Sequence, residues 1–225
     1  RERLPVTESR LCSPAVKPGL ASVESSRSLS RRITAMVRVA SSVGAGSRSE
    51  MVFSIRCMAA TIDASVRRVD VLLTHLHMDH IQGLGFFAPL YRPDVEVHIW
   101  GPASTQLSLQ ARLMRYLSPP LFPVSLRELP CNLNLHEVPC GEVDIGEFRV
   151  ASALVCHPGP TVGYRISEAP GRVLTYLPDH EPALGARAFP SLPRAWTSGG
   201  ALAEASDLLI HDSQYTTHEY PDRVG

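Results

Sequence analysis

Lysine is almost missing from this sequence: Lys17 stands alone against 21 arginines. Cysteine is sparse as well. Cys12, Cys57, Cys131, Cys140 and Cys156 are odd in number, far apart and without a Cys-x-x-Cys pair, which excludes a disulfide framework and a cysteine-rich zinc site. Reduced thiols in a cytoplasmic protein are the expectation. No apolar run approaches the about 20 residues that a membrane-spanning helix needs, and no basic start followed by an apolar stretch marks a secretory signal. Net charge is also lacking, with 22 basic residues against 22 acidic, so the chain as a whole signals no polyanionic partner. The charges are unevenly spread. Residues 1–50 hold nine Arg and Lys against four Asp and Glu, while 51–225 hold thirteen against eighteen. A mildly acidic main part speaks against a large nucleic-acid footprint.

What remains is enough for a core. With 44% hydrophobic residues over 225 positions, the chain suits one large α/β domain or two small ones. The first 50 residues differ from the rest, with eleven serines, much arginine and no hydrophobic period. That texture suits a disordered extension or an organellar transit peptide. The arginine excess suggests a third reading. GC-rich coding keeps shifted frames open, reading as Arg, Ser and Ala, so 1–65 fits a frameshifted segment. The domain proper is expected at 66–225.

From Val66 the pattern becomes that of a folded chain. Val69–Leu73 reads as a buried strand running into a polar, His-rich turn, and Val95–Pro102 as a second strand. Ser104–Leu117 reads as a helix, with Ser104 as cap and Leu107, Leu109, Leu113 and Leu117 near helical spacing, stopped by Pro119 and Pro120. Further strands are expected around Glu137–Val138, Phe148–Leu154, Thr161–Ile166, Val173–Leu177 and Leu208–Ile210, with a long loop and some helix over Glu181–Ala205. The mixture predicts a layered α/β protein in which antiparallel strands dominate.

The chemistry concentrates in "THLHMDH", which places three imidazoles and a carboxylate within six residues, directly after the first strand. In a strand-to-helix turn His75 and His77 can point to one side while Asp79 and His80 face a second point. Neutral imidazole suits Zn²⁺, and a carboxylate beside it suits a second, harder position. His157 closes the strand "RVASALVC" and precedes Pro-Gly, so a tight turn presents its ring either as a structural residue or as a ligand.

His-x-His-x-Asp-His after an apolar strand resembles the first signature of the metallo-β-lactamase superfamily. The segments "IQGLGFFAPLY", "SPPLFPV", "HPGPTVGYRI", "LTYLPDHEP" and "LLIHDSQYTTHEYP" extend the likeness to its phosphodiesterase-like branch, which includes ribonuclease Z and small cyclic-phosphate phosphodiesterases. The resemblance implies an α/β (α+β) four-layer αββα sandwich with two divalent ions at one edge, Zn²⁺ first, Mn²⁺ or Fe as alternatives. It implies His75, His77 and His157 on one ion, Asp79 and His80 on the other, and Asp179 as the bridge. Asp79 would also orient a hydroxide shared by ions ~3.5–4 Å apart. His180 is a candidate to touch substrate, and His211 and Asp212 to orient a ligating imidazole. His98 is expected to be structural, and His136 and His218 solvated.

Two departures from the family pattern stand out. A Gly-rich "GTRGSxP"-like turn and a strand ending in Asp-Ala-Gly-x-Gly are not found in 1–68, and a last histidine in a Gly-His-Ser-Thr-like turn is not reached before Gly225. The fold is thus expected to be incomplete, truncated at its C-terminus. The expected activity is hydrolysis of a small or cyclic phosphodiester through a metal-bound hydroxide. Hydrolysis of a thioester, lactone or lactam is one alternative, and a degenerate metal-binding member without turnover is another. The expected partner is that small-molecule phosphodiester, with no membrane and no nucleic acid; a homodimer is left open.

Overall fold

A computed structural model describes residues 33–35, 65–138, 140–168, 171–182, 196–212, 215–216 and 218–220. Nine strands lie in two sheets among these residues. The first sheet has the order β1 (Ile33–Ala35), β2 (Arg68–Leu72), β3 (Glu96–Pro102), β4 (Asn132–Val138). The second runs β5 (Gly141–Ile145), β6 (Phe148–Leu154), β7 (Val162–Glu168), β8 (Arg172–Leu177), β9 (Leu208–His211). Short α-helices α1 (Met78–Ile81), α2 (Leu109–Met114) and α3 (Gly200–Ala203), and three 3-10 turns, accompany them among the described residues. No helix among the described residues is long and apolar enough to cross a membrane.

The expectation that antiparallel strands dominate is wrong for half of the molecule. Every pairing in the first sheet is parallel, and so is β8 with β9; only β5 to β8 form an antiparallel meander. The reason is the length of the connections. β2 to β3 and β3 to β4 are joined through helical segments, and such crossovers return the chain in the same direction. β1 is a second difference: it forms inside the 1–65 stretch, whose first 50 residues show no hydrophobic period. The remainder of that stretch, 1–32 and 36–64, lies outside the described residues, together with its disorder, transit-peptide and frameshift readings.

Local chemistry explains the other shifts. Ser108, not Ser104, caps α2: its Oγ accepts from the Ala111 N–H at 3.2 Å, and the helix is less than half the predicted length. Leu109, Leu113 and Leu117 are nonetheless buried as their spacing requires. No strand is expected over Gly141–Ile145, yet β5 forms there; its alternation is hidden by Glu142 and Asp144 on the solvent side.

Three cores result. One lies between the first sheet and its helical cover, and includes Val69, Val71, Ile81, Leu84, Ile99 and Leu113. A second joins the two sheets through Leu72, Val138, Ile145, Val150, Val162 and Tyr164. The third seats α3 on the second sheet through Val155, Leu177 and Leu202.

Candidate metal centre

The motif turn is held from several sides. Leu73 N–H donates to Trp100 O at 2.7 Å, prolonging β2 against β3. His77, in extended conformation, is the N-cap of α1, and its carbonyl accepts from the His80 and Ile81 N–H groups. Ile81 is buried in the first core and so fixes which way the single helical turn faces. The second sheet reaches over to the same turn: Val162 N–H donates to Thr74 O at 2.9 Å, and the buried Tyr164 hydroxyl donates to Leu73 O at 2.7 Å. Past β6 the chain is closed by Val155 N–H to Thr161 O, and Gly159, at φ +82°, makes the turn that presents His157.

Among the described residues two groups of potential ligand atoms result, each within 4.8 Å: His75, His77 and His157, and His75, His80 and Asp179. His75 belongs to both. Its ring centroid is 4.1 Å from that of His80, 4.7 Å from His77 and 4.8 Å from His157. His157 Nε2 and His77 Nδ1 face each other at 3.1 Å. Asp179, just after β8, receives a hydrogen bond from His80 Nε2 at 2.8 Å and stands 3.9 Å from His75 Nε2. Asp79 falls outside both groups; its carboxylate is exposed at the rim, 3.3 Å from His80 Nε2.

Electrostatics make the cluster ready for cations. Burial, reinforced by the charges of His80, His157 and His77, pushes the His75 imidazole down to about 3. Burial and His77 lower His157 too. Burial works against charge on His80 as well, but the Asp179 hydrogen bond and the charges of Asp179, Asp79 and Asp212 raise it overall. The His80 hydrogen bond holds Asp179 down to about 2 despite its burial. His75 is only 2% exposed, and its Nε2 has no hydrogen-bond partner, while Nδ1 meets the Thr74 hydroxyl at 3.2 Å. With the proton on Nδ1, a buried lone pair is left aimed at the other ligand atoms. A polar atom stranded in this way is unfavourable by ~1–3 kcal/mol, and a bound cation removes that penalty. The donor set fits a divalent ion.

The remaining histidines sort differently. His180 stands outside both groups: its Nε2 donates to Ser198 O at 3.3 Å, its ring packs on His211 at 4.8 Å, and burial pushes it down to about 4. His211 is exposed, with Nδ1 against the Asp212 carbonyl, so its imidazole bonds none of the cluster rings. Asp212 reaches the site through its charge on His80. His98 is buried in β3, as expected, and His218 is exposed. His136 corrects its expectation of being solvated: it stacks on Trp100 at 3.9 Å and faces His98 Nδ1 at 2.8 Å. β4 is longer than predicted, and register places His136 directly beside Trp100. Thr74, Tyr164 and Ser198 support the site yet went unnoticed. Only Thr74, next to His75, carried a signal.

The sequence profile of the Beta-lactamase superfamily domain matches residues 52–223. The chain belongs to this superfamily. Ribonuclease Z of Thermosynechococcus vestitus is 36% identical over 115 residues, covering 48% of this chain and 26% of the relative. The chain therefore spans about a quarter of that protein's length. The crystal structure of the short form of human tRNase Z aligns with a TM-score of 0.50 at 20% identity, over 74% of this chain and 65% of the other. That likeness supports the fold, an α/β metallo-β-lactamase fold. The relatives are hydrolases of the superfamily.

Proposed function

We propose that this chain is a metal-dependent phosphodiesterase acting on a small or cyclic phosphodiester. The observation that carries the reading is the buried, unpartnered Nε2 of His75 at the meeting point of the two ligand groups. In this reading His75, His77 and His157 would hold one divalent ion, and His80, Asp179 and Asp79 the other. Zn²⁺ is the first choice for an imidazole-rich set, and Mn²⁺ or Fe fits the carboxylates. Ions bound there supply Lewis acidity, acidifying water and offsetting negative charge on phosphoryl oxygens.

The chain's own groups do the positioning. The exposed Asp79 carboxylate accepts a hydrogen bond from the attacking water and turns its lone pair toward phosphorus. The neutral imidazoles of His75 and His157 keep their lone pairs for cations across the neutral pH range, because burial suppresses protonation. Choice of phosphorus over an acyl centre rests on the similarity to a protein named as a ribonuclease, which acts on a phosphodiester. The mildly acidic 51–225 part supports a small substrate. The same relative's name favours a second reading, cleavage of an RNA phosphodiester. The free thiols of Cys131, Cys140 and Cys156 support a cytoplasmic location.

The test is metal content by elemental analysis together with turnover of bis(p-nitrophenyl) phosphate, a 2′,3′-cyclic nucleotide and a structured RNA. Metal-dependent turnover of the small diesters is expected. Turnover of RNA alone establishes the second reading. A folded protein that binds no divalent ion refutes both.

A further inference from the structure

His157 and Asp179 sit in different ligand groups and follow different strands, yet Ser198 bonds to both of their loops. Ser198 lies on the segment leading into α3. Its Oγ accepts from the Cys156 N–H at 2.8 Å, its N–H donates to Pro182 O at 3.2 Å, and its carbonyl accepts from His180 Nε2 at 3.3 Å. Glu181 N–H donates to Cys156 O at 2.7 Å. Both backbone polar groups of Cys156, the residue before His157, are therefore engaged from the side that carries Asp179. The tie is pressed close to β8 by Gly199, whose φ is +73°. A Cβ there would stand 3.0 Å from Leu177 Cδ1 and 3.4 Å from His180 Nε2.

We infer that Ser198 is a positioning residue that sets the spacing between His157 and Asp179, and with it the relation of the two ligand groups. The inference rests on the reading of those groups as metal ligands given above. Without the Ser198 hydroxyl the Cys156 N–H loses its partner, the Val155–Cys156 peptide is held less firmly, and the His157 imidazole shifts from the direction shared with His75 and His77. Partners that orient a ligand typically change metal affinity by about 10–100-fold when removed. The effect falls on the group containing His157. The group of His75, His80 and Asp179 keeps its contacts, because the bonds made by the Ser198 backbone survive a side-chain substitution.

The experiment titrates Co²⁺ into the metal-free 225-residue chain, following affinity and the visible ligand-field bands, with melting temperature recorded in parallel. Ser198→Ala is expected to weaken Co²⁺ binding by about 10–100-fold and alter the bands, and Ser198→Thr to restore both. Gly199→Ala retains the hydroxyl but displaces the tie, and should perturb the bands independently. Ser206→Ala is the control from the same stretch. Its hydroxyl bonds Ala203 O at 3.0 Å and Thr175 Oγ1 at 2.7 Å, with no bond to either ligand loop. It should lower the melting temperature and leave the bands unchanged. Wild-type affinity and bands in both Ser198→Ala and Gly199→Ala overturn the inference, as does an equal loss in Ser206→Ala. No Co²⁺ bound by folded wild-type protein overturns the functional reading itself, and this inference with it.

Discussion

Replacing His75 by leucine, a side chain of similar bulk with no nitrogen, separates what this imidazole does to the fold from what it does for an ion. In the metal-free protein His75 is buried with one stranded nitrogen, and its imidazole is pushed from an ordinary 6.5 down to about 3. The unfolded chain protonates this histidine below 6.5, while the folded chain resists protonation down to about 3. The unfolded state therefore binds more protons in that window, and stability falls as pH falls through it, at up to ~1.4 kcal/mol per pH unit. Between about pH 7 and about pH 4.5 the loss from this single group is roughly 2–3 kcal/mol. The other shifted histidines are present in both proteins and cancel in the comparison. Urea unfolding of the metal-free forms at both pH values should show the wild type losing that much more than His75→Leu. Added Zn²⁺ at neutral pH should then stabilise the wild type by ~2.7 kcal/mol at a hundred times its dissociation constant, and the variant by less, because the group of His75, His77 and His157 loses a member. Equal acid sensitivity in the two proteins would refute the buried, neutral His75. Equal stabilisation by Zn²⁺ would refute its place as a ligand.

Two further substitutions probe the site and its support. Asp79→Asn keeps size and removes charge at the rim, so bis(p-nitrophenyl) phosphate turnover should drop by about 10²-fold or more while the circular dichroism spectrum stays unchanged; undiminished turnover assigns the orienting role elsewhere. Gly163→Ala puts a Cβ 2.4 Å from Leu177 Cδ2 and 2.9 Å from Leu202 Cδ1, both in the core beneath α3. Overpacking of this kind should cost about 1–3 kcal/mol in the urea midpoint, and a neutral result would mean that this core is looser than its burial implies.

The sequence alone was enough for the superfamily and for an α/β fold, and it singled out motif residues that the structure brings close together. The reason is physical: His75, His77, Asp79 and His80 lie within six positions of one another after an apolar strand, so their proximity needs only a local turn. The burial of Leu109, Leu113 and Leu117 was legible in the same way, since helical spacing is local. Tertiary structure decided whatever depends on pairings distant in the chain. The parallel first sheet, β1, and the stacking of His136 on Trp100 come from strand register, which no short window encodes. It also decided that His75 is shared by both groups, because Asp179 arrives from β8 and His157 from β6 only once Tyr164 and Val162 have drawn the second sheet onto the motif turn. Ser198 is the extreme case. Its stretch is rich in Pro, Ala and Ser and has no period, and its hydroxyl gains meaning only where the Cys156 amide meets it, 42 residues away in sequence.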